Sequence, residues 1–289
     1  MYVFDDAQEF IKNFEAAHKV KILRVPFSLS VSQTVALLMC KMGQWYVSMP
    51  YISQGVLELN PKRFDLPELP KYWEIRDTRQ RSKNVYSSKV NIELDLRDEY
   101  NYTTNIRRKI HKAQANDIIV RNGADEKIIN DFYTAYSVRM HEIGVPPQSK
   151  QSIKKGVLLS KAEVFVAYIG SEPIGGATLC RITNDYYDNA LFATIEKYQH
   201  LYPSYLLHSA MIDYSRQSKA ATYSFGRSTL GSSVHEFKSH FHCKEIPLYW
   251  SYSHHKRQAR NNKWFFSIYR LLPYRLSILF GGIIQRKVY

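Results

Sequence analysis

Apolar positions change period several times along this chain, and each change marks an element. Phe10, Ile11 and Phe14 recur at helical spacing within Ala7 to His18, with Asp5 or Asp6 placed to cap that helix. Gln44 to Pro50 and Val56 to Leu59 are strand-like runs on either side of Tyr51-Ile-Ser-Gln-Gly55. Tyr72 to Ile75 and Asn91 to Leu96 alternate apolar and polar residues, the period of a half-buried strand. Ile106, Ile110 and Ala113 fall on one face of a helix over Thr103 to Ala113, and Arg107, Arg108, Lys109 and Lys112 cover the others. Ile118 to Arg121 is a short strand closed by Asn122-Gly123. Ile128, Ile129, Phe132, Tyr133, Tyr136 and Met140 form the stripe of a helix that ends at Gly144 and Pro146-Pro147. Glu163 to Ile169 and Ile174 to Ile182 make a hairpin, Tyr187 to Ile195 a further strand, and Tyr205 to Gln217 a helix. A β-like run, Ala221 to Phe225, then leads into Gly226. The pattern predicts a mixed α/β protein, and 289 residues suit two domains.

Composition sharpens this picture. With 45% hydrophobic and 14% aromatic residues the chain has the material for a core, which excludes intrinsic disorder. Forty basic residues against 26 acidic ones give +14, a balance that fits an anionic partner or a set of solvated basic faces. Residues 246–289 hold eight of these bases (Lys256, Arg257, Arg260, Lys263, Arg270, Arg275, Arg286, Lys287) and no acid. Trp264, Phe265, Ile268, Leu271, Leu272, Leu276, Leu279, Phe280, Ile283 and Ile284 are interleaved with them. Such a tail, taken as 262–289, suits a helix lying in a membrane interface or one packed on the protein body. Cys40, Cys180 and Cys243 are too scattered for a disulfide framework and fit a reducing compartment. The start shows no signal-peptide pattern, and no apolar run reaches the roughly 18 residues of a membrane span.

The segment from Tyr223 to Trp250 is the richest in chemistry. Arg227 follows Gly226 at a strand end, where a guanidinium fork can grip a phosphate or carboxylate, or pair with a structural acid. Ser228, Thr229, Ser232 and Ser233 can cap a helix or meet phosphate oxygens. His240-x-His242-Cys243 offers too few ligands for a zinc site, so no metal is expected. Phe225-Gly-Arg-Ser-Thr229, Phe237-Lys238 and Pro247-Leu-x-Trp250 together resemble a block of FemAB-related proteins, members of the GNAT acyltransferase superfamily. Pro50 to Gly55, the helix around Arg107 to Ala113 and Phe132 to Ser149 resemble further segments of the same group.

The resemblance implies two tandem GNAT-like halves, residues 1–123 and 124–261, followed by the basic amphipathic tail. It implies an N-acyltransferase or aminoacyltransferase that modifies an amine of a cell-envelope glycan or peptidoglycan precursor. Such an enzyme would be cytoplasmic, peripheral at the inner face of the plasma membrane through residues 262–289. The donor would be acyl-CoA or aminoacyl-tRNA, with no tightly bound cofactor. Lys238 and Tyr249 are then the catalytic candidates, and Arg227, Ser228 and Phe237 the contacts to substrate or donor. Gly175 and Gly176 would let a donor carbonyl approach the backbone, or else mark a bulge or tight packing. Ser204, as a cap, and Tyr205 open the helix that faces the donor in GNAT folds, although the glycine-rich coenzyme A loop is missing there. A rival reading is a nucleic-acid-binding or scaffold protein without catalysis, built on the same fold and using the basic helix and tail.

Overall fold

The computed structural model describes residues 1–30, 33–50, 52–254, 267 and 269–288. Lys256, Arg257, Arg260, Lys263, Trp264, Phe265 and Ile268 of the tail lie outside the described residues, as do the side chains of 282–288. In chain order, β1 (Tyr2–Phe4) precedes α1 (Gln8–His18), whose cap residue is Ala7 and not Asp5 or Asp6, although Asp6 Oδ1 accepts from Gln8 N at 2.8 Å just ahead of it. Next come β2 (Ile22–Ser30), β3 (Gln33–Met42), β4 (Trp45–Val47), β5 (Val56–Glu58), β6 (Trp73–Asp77) and β7 (Asn84–Asp95). β2 and β3 were not predicted. Residues 35–40 form a continuous apolar run, each with no exposed surface, so no alternation exists to read.

α2 (Thr104–Ala115) begins at Thr103, whose hydroxyl accepts from Ile106 N, and buries Ile106, Ile110 and Ala113 as the spacing predicts. β8 (Ile118–Gly123) and α3 (Glu126–Glu142) follow, and then α4 (Lys150–Ser160), another unpredicted element that buries only Ile153 and Val157. β9 (Glu163–Ile169), β10 (Glu172–Thr183) and β11 (Tyr186–Thr194) run through a 3-10 turn, Glu196–Leu201, into α5 (Pro203–Gln217). The chain closes with β12 (Thr222–Thr229), α6 (Ser233–Ser239), β13 (Lys244–Tyr252) and α7 (Tyr274–Val288).

Two compact units result: Met1–Leu94 with Ser224–Arg257, and Asp95–Tyr223 with Gln258–Tyr289. Residues 224–257 join the first unit through β13, which pairs antiparallel with β6 and β7. In the first unit the strand order is β1-β5-β3-β4-β6-β13-β7-β12, with β2 on β3. Its β1/β5 and β4/β6 pairs are parallel, which makes the sheet mixed. Val25, Phe27, Val35, Leu37, Met39, Leu57 and Ile75 form a core there.

In the second unit β11, β10, β9 and β8 are neighbours in that order and pair antiparallel. α3 and α4 cover them through Ile129, Phe132, Tyr136, Ile153 and Val157. α7 packs on this unit. Ile278 packs on the α3 cluster, Ser277 is fully buried, and Ser137 Oγ lies 2.8 Å from the Tyr274 hydroxyl. The described part of the tail is therefore a packed helix rather than a free appendage. No helix of the described residues is long and apolar enough to cross a membrane.

Candidate functional site

β12 does not end at Gly226, as the sequence suggested; it runs on to Thr229 and makes a left-handed turn of the backbone within the strand. Gly226 has φ +74°, a left-handed conformation that a side chain would strain. Ser224 Oγ accepts from Gly226 N at 3.0 Å and donates to Asn91 Oδ1 at 3.2 Å, which fixes the turn from one side. Lys238 fixes it from the other. Its ammonium, on the last turn of α6, donates to Gly226 O at 2.8 Å and Arg227 O at 3.2 Å, and the residue is buried. α6 in turn is anchored by Ser232, whose hydroxyl accepts from His235 N at 3.2 Å and donates to Thr229 O at 2.7 Å. Capping by this serine was one of the two roles the sequence suggested for the hydroxyl cluster.

The turn presents Arg227 to Trp250 of β13. The guanidinium donates to Ile52 O at 2.8 Å, and its carbon lies 5.8 Å from the centre of the Trp250 ring. Two further cations share that ring: the Arg76 guanidinium at 4.2 Å and Lys89 Nζ at 5.8 Å. Arg76 is paired with Glu74 at 2.9 Å, while Lys89 also donates to the Thr229 hydroxyl. Tyr86 completes the surround at 5.8 Å. Trp250 is buried, yet among the described residues its Nε1–H has no hydrogen-bond partner, and the same holds for the buried Ser228 hydroxyl. An indole nitrogen can only donate, so the vacant bond calls for an acceptor. An acceptor flanked by cations is best satisfied when it is anionic.

Arg76, Lys89 and Tyr86 were not found from the sequence. A register shift between Leu248 and Trp250 breaks the β13/β7 alternation, so that Trp250 lies opposite Tyr86 and Leu248 opposite Lys89. Strict period-two counting cannot place these side chains. One signal was present: Pro50 and Ile52, in the segment resembling FemAB-related proteins, lend their carbonyls to Arg76 and Arg227. Of the other expected residues in this unit, Tyr249 is half-buried on β13 opposite Asp77 of β6. Phe237 is half-buried with its ring edge-on to Phe241 at 5.7 Å.

Gly175, Gly176, Ser204 and Tyr205 belong to the second unit. A Cβ on Gly175 would meet Thr194 Cγ2 at 2.8 Å, and one on Gly176 would meet Phe165 O at 2.7 Å and Phe132 Cδ2 at 2.8 Å. Protein atoms fill the room these glycines leave, so tight packing accounts for them. Ser204 does not cap α5. Pro203 occupies the first helical position and Tyr202, at φ +64°, is the cap residue, with no side-chain cap. The Ser204 hydroxyl instead lies 3.3 Å from that of Thr194. The Tyr205 hydroxyl accepts from Lys109 Nζ at 2.7 Å, and Lys109 also lies 4.5 Å from the Tyr205 ring centre.

Near the motif, burial pushes the Cys243 thiol up to about 12, so it stays protonated at neutral pH. Among the described residues no three His, Cys, Asp or Glu side chains are gathered as metal ligands.

No family model and no curated protein sequence matches the chain. Solved structures do. The C-terminal domain of a protein from Agrobacterium fabrum assigned as a lysylphosphatidylglycerol synthetase is similar over 87% of this chain and 88% of its own, at 13% identity and a TM-score of 0.59. A structure of FemX is similar over 86% of this chain and 96% of its own, at 10% identity and a TM-score of 0.58. L-PGS from Bacillus licheniformis is similar over 90% and 91%, at 9% identity and a TM-score of 0.56. At these identities the likeness is one of fold: the chain has a GNAT/Fem-like mixed α/β fold.

Proposed function

We propose that this protein is an acyltransferase-type enzyme that moves an acyl or aminoacyl group onto an amine of a cell-envelope precursor, and that the Trp250 cluster seats an anionic group of a substrate. The observation that carries the reading is the buried, partnerless Trp250 Nε1–H beside Arg227, Lys89 and Arg76. A phosphate or phosphodiester supplies both the acceptor oxygen and the negative charge that this set of donors favours. The fold supports acyl or aminoacyl transfer, while the amine acceptor is part of the proposal. FemX and proteins named for lysylphosphatidylglycerol synthesis share it, and the latter name describes an aminoacylated anionic lipid.

In this reading the acceptor amine attacks the donor carbonyl, a C–N bond forms, and the C–O or C–S bond to the carrier breaks. The amine proton passes to the departing oxygen or sulfur. The donor is acyl-CoA or aminoacyl-tRNA, and the site of action is the inner face of the plasma membrane. Arg227 holds the anion, and Ser228 and Phe237 remain further proposed contacts to substrate or donor. Lys238 acts one step removed, as a positioning residue for the Gly226–Arg227 turn, since its ammonium is engaged by that turn's carbonyls.

The test has two arms. Inorganic phosphate is titrated into the purified protein by isothermal titration calorimetry, comparing native, Trp250→Phe and Arg227→Ala. Loss of one charge-assisted contact, about 1.5–3 kcal/mol, predicts an affinity at least tenfold weaker in Arg227→Ala. Trp250→Phe keeps the ring and removes the N–H, so it should weaken binding as well. The second arm compares envelope glycans and lipids of deletion and wild-type strains by mass spectrometry, seeking an acyl or aminoacyl group that disappears. Equal phosphate affinity in all three proteins, or unchanged envelope chemistry alongside RNA binding, would overturn the reading in favour of a non-catalytic binder.

A further inference from the structure

α7 carries apolar side chains on two sides. The inner side is accounted for by the second unit: Ser277 is buried, Ile278 packs on the α3 cluster, and a Cβ on Gly281 would meet Pro147 Cδ at 2.5 Å. The chain just ahead of it is also pinned. Tyr269 is buried with its hydroxyl donating to Ser277 O, and His141 Nε2 lies 2.8 Å from Leu272 O. A surface helix fixed in this way ordinarily turns polar residues to water.

Here the outward side is Leu276, Leu279 and Phe280, at i, i+3 and i+4, with 40%, 66% and 45% of their surface exposed. Leu271, just ahead of Pro273, is 84% exposed. Arg270 and Arg275 are exposed beside it. A contiguous apolar patch on a fixed helix marks an interaction surface.

The charge selects the partner. From 246 to 289 the sequence has eight basic residues and no acid, within a chain of net +14. A second copy of this chain meeting the patch about a two-fold axis would bring the same bases against each other. A nucleic acid would satisfy the bases and leave the leucines in water. An anionic bilayer surface satisfies both, taking the leucines and Phe280 below the headgroups and the bases among them. We propose that the outward face of α7 is an interfacial docking surface for an anionic membrane, entered by Leu271, Leu276, Leu279 and Phe280. The helix lies in the plane of the bilayer and does not cross it.

This face would bring the enzyme proposed above to a membrane-held acceptor. Vesicle binding is measured without turnover, so its outcome stands or falls separately from the transferase reading. Full-length protein is co-sedimented with phosphatidylcholine vesicles with and without phosphatidylglycerol, at low and raised salt. Binding is expected with the anionic vesicles, little with the neutral ones, and less as salt rises. Leu276→Glu/Leu279→Glu should weaken binding at least tenfold with an unchanged melting temperature. Leu158→Glu, at an exposed leucine of α4, should bind as the native protein does. Arg270→Gln/Arg275→Gln should weaken binding to anionic vesicles only. The proposal is overturned if the native protein stays in the supernatant, or if the double glutamate variant binds like the native one. It also fails if size-exclusion chromatography shows a native dimer that the variant dissociates, which would make the face an interface between copies.

Discussion

Replacing Lys238 by methionine separates two roles for this residue. The ammonium is buried against the Gly226 and Arg227 carbonyls, at 2.8 and 3.2 Å. Methionine retains an unbranched apolar stem of similar reach, so packing is largely kept while the donor is lost. Hydrogen bonds from a charged group contribute about 1.5–3 kcal/mol, and the Gly226 carbonyl would be left buried without its donor. A loss of about 2 kcal/mol, with a urea dependence of about 2 kcal/mol per molar, lowers the unfolding midpoint by about 1 M. Far-UV circular dichroism in urea measures this, and phosphate titration of the folded variant reads the turn itself. If Lys238 positions Arg227, stability and phosphate affinity fall together and KM rises more than kcat falls. An unfolding midpoint equal to the native one would refute the positioning argument. Native stability with a collapsed kcat would instead assign Lys238 directly to the donor.

Other consequences can be checked in the same preparations. His18 packs on the Phe14 ring at 4.4 Å, and burial lowers its pKa from 6.5 to about 4. The unfolded chain therefore takes up a proton that the folded one refuses. Stability should be full above about pH 6.5 and fall by up to about 3 kcal/mol as pH drops towards 4. His18→Phe should flatten the urea midpoint across that window, and an unaltered slope would show that His18 is not the group responsible. Gly176→Ala would drive a methyl to 2.7 Å from Phe165 O, so it should lose about 1–3 kcal/mol in thermal unfolding; a native melting temperature would show that the strand has slack.

The local periods of the sequence determined much of the element order. The stripe from Ile128 to Met140 became α3, the hairpin around Gly170 became β9 and β10, and Thr103 and Ser232 cap the helices that begin beside them. These features depend on residues a few positions apart, which a sequence displays directly. β3 escaped because a strand buried on both faces has no alternation, and α4 because two buried positions make too thin a stripe.

The candidate site divides along the same line. Gly226-Arg227 and Phe237-Lys238 could be marked from their residue types, but what Arg227 faces could not. Ile52 stands 175 positions from Arg227, and Trp250 gathers cations from three other strands. Only long-range strand pairing, with its shift between Leu248 and Trp250, decides those neighbours. The tertiary structure also reassigned residues that the sequence had named: Lys238 is buried beneath a turn, Gly175 and Gly176 are filled in by Thr194 and Phe132, and one side of the tail belongs to the core. Residue chemistry sets which interactions a side chain can make. Which of them it makes depends on the atoms that folding brings within a few ångströms, and the sequence does not display those.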